Sequence, residues 1–255
     1  MKRIPTIPRV NPLGKAGLAR ALSKLGYCSR SQAAELIRAG RIRVNGAVTK
    51  DPETPVHWGK DRLEADGQPV SQSKKIYFIL NKPRGIVTTA DDEQGRKTVY
   101  GFLPKGAPWV SPVGRLDKAS EGLLLLTNDS EWAARVTAPE THLDKMYHVQ
   151  IGGVADATLT KALENGVTTN FGDFLRAKRA AILRHGDRNS WLEIILDEGK
   201  NRHIRRMLEH LGMEVLRLIR VSIGPVTLGE LPKGEVRPLA EVEKLAMDRA
   251  VRRSS

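Results

Sequence analysis

Cysteine is nearly missing from this sequence: Cys28 is the only one in 255 residues. No intrachain disulfide can form, and a cysteine-based zinc cluster is excluded. The histidines, His57, His142, His148, His185, His203 and His210, show no paired metal-ligand spacing. They read, with Cys28, as structural or solvated residues, and no metal site is expected. No apolar run is long enough to span a bilayer, which excludes an integral membrane helix. The amino-terminal stretch carries Lys2, Arg3, Arg9 and Lys15 among Pro5, Pro8 and Pro12 but has no apolar signal-peptide core, so a cytoplasmic protein is expected. Acidic residues are scarce where basic ones are dense: positions 1–50 hold eleven Lys or Arg against Glu35 alone. Neither a regular repeat nor strict βαβ alternation runs through the chain, which leaves α+β as the fold class.

Charge is the first positive feature. The chain has 42 Lys and Arg against 29 Asp and Glu, a net charge of +13. That balance suits a polyanionic partner, because phosphate contacts release condensed counterions. By itself it does not separate RNA from DNA or from an anionic membrane surface. In the basic first fifth, Leu18, Leu22 and Leu25 have helical spacing and Gly26 ends the element. Ser29 followed by Gln32 reads as a capping box for a second helix, with Ala33, Leu36 and Ile37 on its apolar face and Gly40 as its stop. Arg41-Ile42-Arg43-Val44 then alternates before Asn45-Gly46, a strong hairpin signal. Ile42 and Val44 share one face of that strand, Arg41 and Arg43 the other. Residues 66–75, rich in Gly, Pro, Ser and polar side chains, read as a linker.

Beyond the linker, Ile76 to Leu80, Leu123 to Leu126, Tyr147 to Ile151 and Trp191 to Leu196 read as strands. Glu131 to Val136, Ala157 to Glu164 and Arg202 to Leu211 read as helices. The segment from Gly114 to Asp129, Gly-Arg-Leu-Asp-Lys-Ala-Ser-Glu-Gly-Leu-Leu-Leu-Leu-Thr-Asn-Asp, is the most informative. It sets Asp117 between Arg115 and Lys118, just before an apolar run too short to be anything but buried. A carboxylate at the end of a rigid element, kept ionised by cationic neighbours, is presented as a nucleophile should be. Asp117 as a surface turn residue paired with Arg115 is the other reading of the same four positions.

The sixteen-residue segment closely resembles the signature of RNA pseudouridine synthases, in particular the ribosomal-RNA-modifying RsuA group. Three further segments resemble that group's motifs in the expected order: Asn81-Lys82-Pro83-Arg84-Gly85, then Lys145-Met146-Tyr147, then Glu198-Gly199-Lys200-Asn201-Arg202-His203-Ile204-Arg205-Arg206-Met207. The similarity spans residues 76 to 240. Residues 15–73, two helices and a hairpin with an arginine face, resemble the S4 RNA-binding domain. Expected from this are a basic flexible arm (1–14), an S4-like domain (15–73), a catalytic domain with a mixed, mainly antiparallel sheet (76–245) and a basic tail (246–255).

The resemblance also implies roles. Asp117 is the essential aspartate, which either attacks C1′, adds to C6 or removes a ribose proton. Tyr147 stacks on the extruded base, a contact worth about 1–3 kcal/mol. Positional matching gives the partner of Asp117 as Lys200, in place of the arginine seen in several related families, with Arg205 as the reserve. Arg115 is expected at a phosphate beside the flipped nucleotide, and Lys82, Arg84, Arg202 and Arg206 along the RNA. In the S4-like domain, Arg20, Lys24, Arg30, Arg38, Arg41 and Arg43 are the expected RNA contacts. Ala119 departs from the more usual acidic residue at its position. The isomerisation gains no atoms, so no cofactor is expected. The substrate would be ribosomal RNA or a ribosomal subunit precursor, 23S rather than 16S, and the protein a monomer. A noncatalytic RNA-binding or ribosome-assembly factor is the alternative, disfavoured by the intact set of Asp117, Tyr147 and Lys200, because a pure binding protein has no need of a carboxylate facing phosphate.

Overall fold

The structure, a computed structural model, describes residues 15–57, 59–89, 92, 94–170 and 172–253. The expected basic arm, 1–14, lies outside the described residues. The chain divides into two units, one running up to Lys75 and including Pro108–Val110, the other holding Ile76–Ala107 and the chain from Ser111 onward.

The first unit follows its local chemistry closely. Helix α1 (Leu18–Lys24) buries Leu18 and Leu22, and helix α2 (Arg30–Arg38) buries Ala33 and Ile37. The capping box of α2 is complete: the Gln32 amide donates to Ser29 Oγ at 3.0 Å and the Ser29 amide to Gln32 Oε1 at 3.1 Å. Four short strands follow, β1 (Ile42–Val44), β2 (Ala47–Val48), β3 (Leu63–Ala65) and β4 (Gln68–Pro69), antiparallel in the order β2-β1-β3-β4. Asn45 and Gly46 both take positive φ, 53° and 85°, as a type I′ hairpin turn requires. Asp66 and Gly67 do the same, at 51° and 76°, and join β3 to β4. The expected linker therefore starts later, beyond Val70, whose amide donates to Leu63 O at 2.8 Å. An Asp-Gly pair belongs equally to linkers and to tight hairpins, and only strand pairing separates the two.

The second unit is built on one mixed sheet. Its seven main strands are β5 (Tyr77–Lys82), β6 (Glu121–Thr127), β7 (Lys145–Gly152), β8 (Arg179–His185), β9 (Asn189–Leu196), β10 (Glu214–Ile223) and β11 (Val236–Pro238), with two short strands, Ser111–Pro112 and Val226–Thr227, paired to β6 and β10. They run in the order β8-β9-β7-β10-β6-β5-β11. Neighbours are antiparallel except β6 and β10, which pair in parallel through Glu121 with Ile219 and Gly122 with Arg220. Every residue of β6 is buried, which accounts for its unbroken leucines: a strand covered on both faces needs no polar alternation. Strand β10 escaped sequence reading because Arg220 occupies one of its buried positions.

Helix α3 (Ser130–Thr137) is capped by Asp129, which accepts from the Trp132 amide at 3.1 Å. It packs with helix α6 (Glu241–Arg253) over Leu123 and Leu125. The expected tail is thus mostly helix. Met247 and Val251, one turn apart, lie in the core, and Trp132 Nε1 donates to Asp248 at 2.8 Å. Helix α4 (Ala157–Asn165) contacts β8, and helix α5 (His203–His210) contacts β10, burying Ile204, Met207 and Leu208. Among the described residues no helix is long and apolar enough to cross a membrane.

Candidate active site

Asp117 lies in the loop entering β6, and that loop is fixed through its main chain. Six consecutive carbonyls, residues 115 to 120, each accept a hydrogen bond. Arg220 Nη1 donates to Arg115 O at 3.4 Å, Thr88 Oγ1 to Leu116 O at 2.7 Å, and the Gly85 amide to Lys118 O at 2.7 Å. Arg205 Nη2 donates to Ala119 O at 3.1 Å. Lys82 Nζ donates to Asp117 O at 3.1 Å and Ser120 O at 2.8 Å, with a third bond to Pro83 O at 3.1 Å. Buried Val113 and Leu116 anchor the same stretch in the core. A loop with every carbonyl occupied has little freedom, so its side chains are pre-positioned.

The cations that do this are themselves buried. Lys82, expected along the RNA, has no solvent exposure at all. It lies on the buried side of β5, and a lysine surrounded by protein must spend its protons on carbonyls. Burial pushes its pKa down to about 8, against the opposing pull of Asp117 and Glu121. Arg220 is 5% exposed and donates Nε to Leu123 O at 2.8 Å, while Nη2 is buried without a partner among the described residues. The Asp117 carboxylate, partly buried, makes no hydrogen bond or ion pair with the described residues.

Sheet register brings the rest together. Tyr147 on β7 is opposite Arg220 on β10, Arg220 opposite Gly122 on β6, and Gly122 opposite Lys82 on β5. A single row across four strands therefore joins Tyr147 to the two cations that hold the Asp117 loop. Gly122 permits this row. Its φ is +101°, and a Cβ there would lie 2.3 Å from Arg220 O and 2.8 Å from Arg220 N. Only glycine allows that approach. Lys145, two residues before Tyr147, donates to Leu143 O at 2.7 Å; burial, then Arg220, lowers its pKa.

Similarity to known proteins agrees with this arrangement. Residues 76–210 match the RNA pseudouridylate synthase family, and residues 17–63 match the S4 domain. The chain belongs to the RNA pseudouridine synthases. It is 36% identical over 231 residues to the ribosomal large subunit pseudouridine synthase B of Bacillus subtilis, covering 89% of this chain and 94% of that protein. It is 38% identical over 231 residues to an uncharacterised RNA pseudouridine synthase of Aquifex aeolicus, covering 90% and 92%. A crystal structure of a pseudouridylate synthase superposes with a TM-score of 0.64 at 29% identity, covering 91% of this chain and 99% of that one.

The synthase deploys the basic residues of its last motif unevenly. Arg205 reaches the Asp117 loop from the first turn of α5, with a second bond from Nη1 to Val215 O at 3.4 Å. Burial lowers its pKa, Arg202 and Arg84 push the same way, and Asp117 opposes them; these charges form one cluster. Lys200 does not join it. Its amine lies 3.1 Å from Glu198 Oε1 and donates to Phe174 O at 3.2 Å. Arg206 turns to Asp173 and to Thr169 Oγ1, the latter at 3.2 Å. Sequence matching could not separate these residues: Arg205 and Arg206 are successive positions of α5, about 100° apart, Lys200 precedes the helix, and tertiary structure decides which one faces the loop.

Arg84, Arg115 and Arg202 are exposed around the site. Arg202 holds φ +48°, a left-handed conformation, as it caps α5. In the S4 unit Arg20, Arg30, Arg38 and Arg43 are exposed and Lys24 is half-buried. Arg41 is held by Asp66 at 2.5 and 2.8 Å. Sequence reading missed Arg220 and the need for glycine at 122. The strand that carries Arg220 has apolar residues on both parities, Val215-Leu216 and Leu218-Ile219, so its sequence does not mark the arginine as buried.

Proposed function

We propose that the synthase converts one uridine of ribosomal RNA, in the large subunit, to pseudouridine, with Asp117 as its essential carboxylate. The observation that carries this reading is the Asp117 loop. Its carbonyls are bound from residue 115 to 120, while its carboxylate remains unpartnered beside Arg205. The reaction breaks the C1′–N1 bond, turns the base and joins C1′ to C5. N1 takes up a proton and C5 gives one up, so the balance closes without an oxidant or reductant.

Each role follows from placement. Asp117 presents its carboxylate to the ribose or base from a loop that cannot relax, which supplies orientation in advance. Arg205 orients that carboxylate, in preference to Lys200, which is engaged elsewhere. The Tyr147 ring stacks on the detached uracil. Lys82 and Arg220 provide positive potential beneath the site, which favours negative charge as it develops on the leaving base. Arg84, Arg115 and Arg202 meet phosphates. The exposed arginines of the S4 unit hold surrounding RNA, offsetting the few kcal/mol needed to unstack the target. The large-subunit assignment is supported by the name and the near full-length match of the Bacillus subtilis relative.

The test maps pseudouridines across ribosomal RNA from cells with the protein, without it, and with Asp117→Asn. One 23S position should vanish in the deletion and stay absent with the variant. An unchanged map would remove ribosomal RNA as the substrate, and restoration by the variant would remove Asp117 from the chemistry.

A further inference from the structure

Two cations of the last motif remain unused by the chemistry above, and both hold the same feature. A short hairpin pairs Val167–Thr168 with Phe174–Leu175. Lys200 donates to Phe174 O at 3.2 Å, and Arg206 pairs with Asp173 and reaches Thr169 Oγ1 at 3.2 Å. Leu175 is fully buried and pins the hairpin from below. The hairpin is therefore an arm fixed to the first turn and approach of α5, the helix that carries Arg205.

At the end of this arm Phe174 is 53% exposed. An aromatic ring gains nothing by facing water, and this one is held in place. It lies against Gly166, the residue that ends α4 at φ +89°. A Cβ there would be 2.4 Å from Phe174 Cζ and 2.8 Å from Cε2. Glycine makes room for the ring, and the rest of the ring stays open. Lys200, exposed and donating to Phe174 O, and Arg176, exposed two residues along the chain, set cations beside it, with Glu198 paired to Lys200 and Asp173 to Arg206. Arg205 and Arg206, successive positions about 100° apart on α5, reach the Asp117 loop and the hairpin respectively, so the two features meet different faces of one helix.

We propose that Phe174 is a stacking platform for an unpaired nucleotide of the RNA substrate a few positions along the strand from the target uridine, with Lys200 beside it for the phosphate. It rests on the proposed function for the identity of that strand. A fixed aromatic with an adjoining cation is the combination that binds single-stranded nucleic acid with tolerance of sequence. On this reading Lys200 and Arg206 act at one remove from Asp117, holding the arm that grips the strand as it leaves the site.

The experiment uses full-length Asp117→Asn protein and a uridine-rich single-stranded oligonucleotide carrying 2-aminopurine at successive positions. Stacking quenches this base, so a register that meets Phe174 darkens on binding. Phe174→Ala should remove the quench at that register alone. Placed in the otherwise wild-type chain, it should raise KM for ribosomal RNA about tenfold at unchanged kcat. Phe174→Tyr should restore both readouts. Phe174→Leu, which still covers Gly166 but has no ring, should restore neither. If Phe174→Ala melts at the wild-type temperature and leaves quench and KM unchanged, the proposal is overturned and the exposed ring belongs to a protein contact. The fluorescence arm reads without turnover. A Phe174-dependent quench, alongside a chain with Asp117 intact that forms no pseudouridine in ribosomal RNA, would therefore support the platform while sinking the proposed function.

Discussion

The Lys82 amine lies 3.1 Å from the main-chain carbonyl of Asp117, not beside its carboxylate. It also bonds Ser120 O and Pro83 O. A protonated amine has one proton for each of these carbonyls; a neutral amine has one too few.

This sets a pH dependence with opposite signs for activity and stability. Burial holds the folded Lys82 pKa near 8, whereas an unfolded lysine titrates near ~10.4. Between those values the unfolded chain binds more protons, so the Lys82 contribution to stability rises with pH across that window. Activity should fall instead, as the loop loses one of its carbonyl bonds. We expect kcat to drop above about pH 8 with no matching fall in melting temperature. Parallel loss of both would show that Lys82 does not titrate in that range.

Gly122→Ala should be among the most damaging single-methyl changes in the chain. The new Cβ would sit 2.3 Å from Arg220 O at φ +101°, which forces β6 and β10 apart. A cost of about 3 kcal/mol or more is expected from strain and overpacking combined, read by chemical denaturation. A loss below about 1 kcal/mol would show that the parallel pair is looser than its register implies.

Arg205 and Lys200 should separate cleanly in kinetics. Arg205→Lys keeps a charge but cannot hold Ala119 O and Val215 O together, and a small shift of the Asp117 loop is costly. A loss of about 10²-fold in kcat is expected. Lys200→Ala removes an exposed ion pair and should leave kcat within about threefold, with its effect in KM. The reverse ranking in single-turnover assays would return Lys200 to the carboxylate.

In the S4 unit, Arg43→Ala should reduce the slope of log affinity against log salt by about 1, the mark of one lost phosphate contact. Arg41→Ala should reduce it less, because Arg41 is engaged with Asp66. Equal slopes in both variants and the wild type, measured by filter binding across a salt series, would take the hairpin face out of the RNA contact.

The sequence by itself determined whatever depends on residues a few positions apart. Ser29 and Gln32 close the box that starts α2, Asn45-Gly46 turns its hairpin, and four leucines in a row make a strand that must be covered on both faces. Such choices are set by local sterics and hydrogen bonding, and they read directly. Tertiary structure decided which polar groups meet one another. Arg220 reaches the loop before β6 only because β10 lies beside it in parallel, a pairing between segments nearly a hundred positions apart. The same sheet order turns Lys82 inward, gives Ala119 O to Arg205 and leaves Lys200 to the hairpin at Phe174. Met247 and Val251 become core rather than tail because α3 offers Trp132 and Val136 to cover. A cation in a sequence carries only its charge; strand order and helix rotation fix whether it finds a carbonyl, a carboxylate or water.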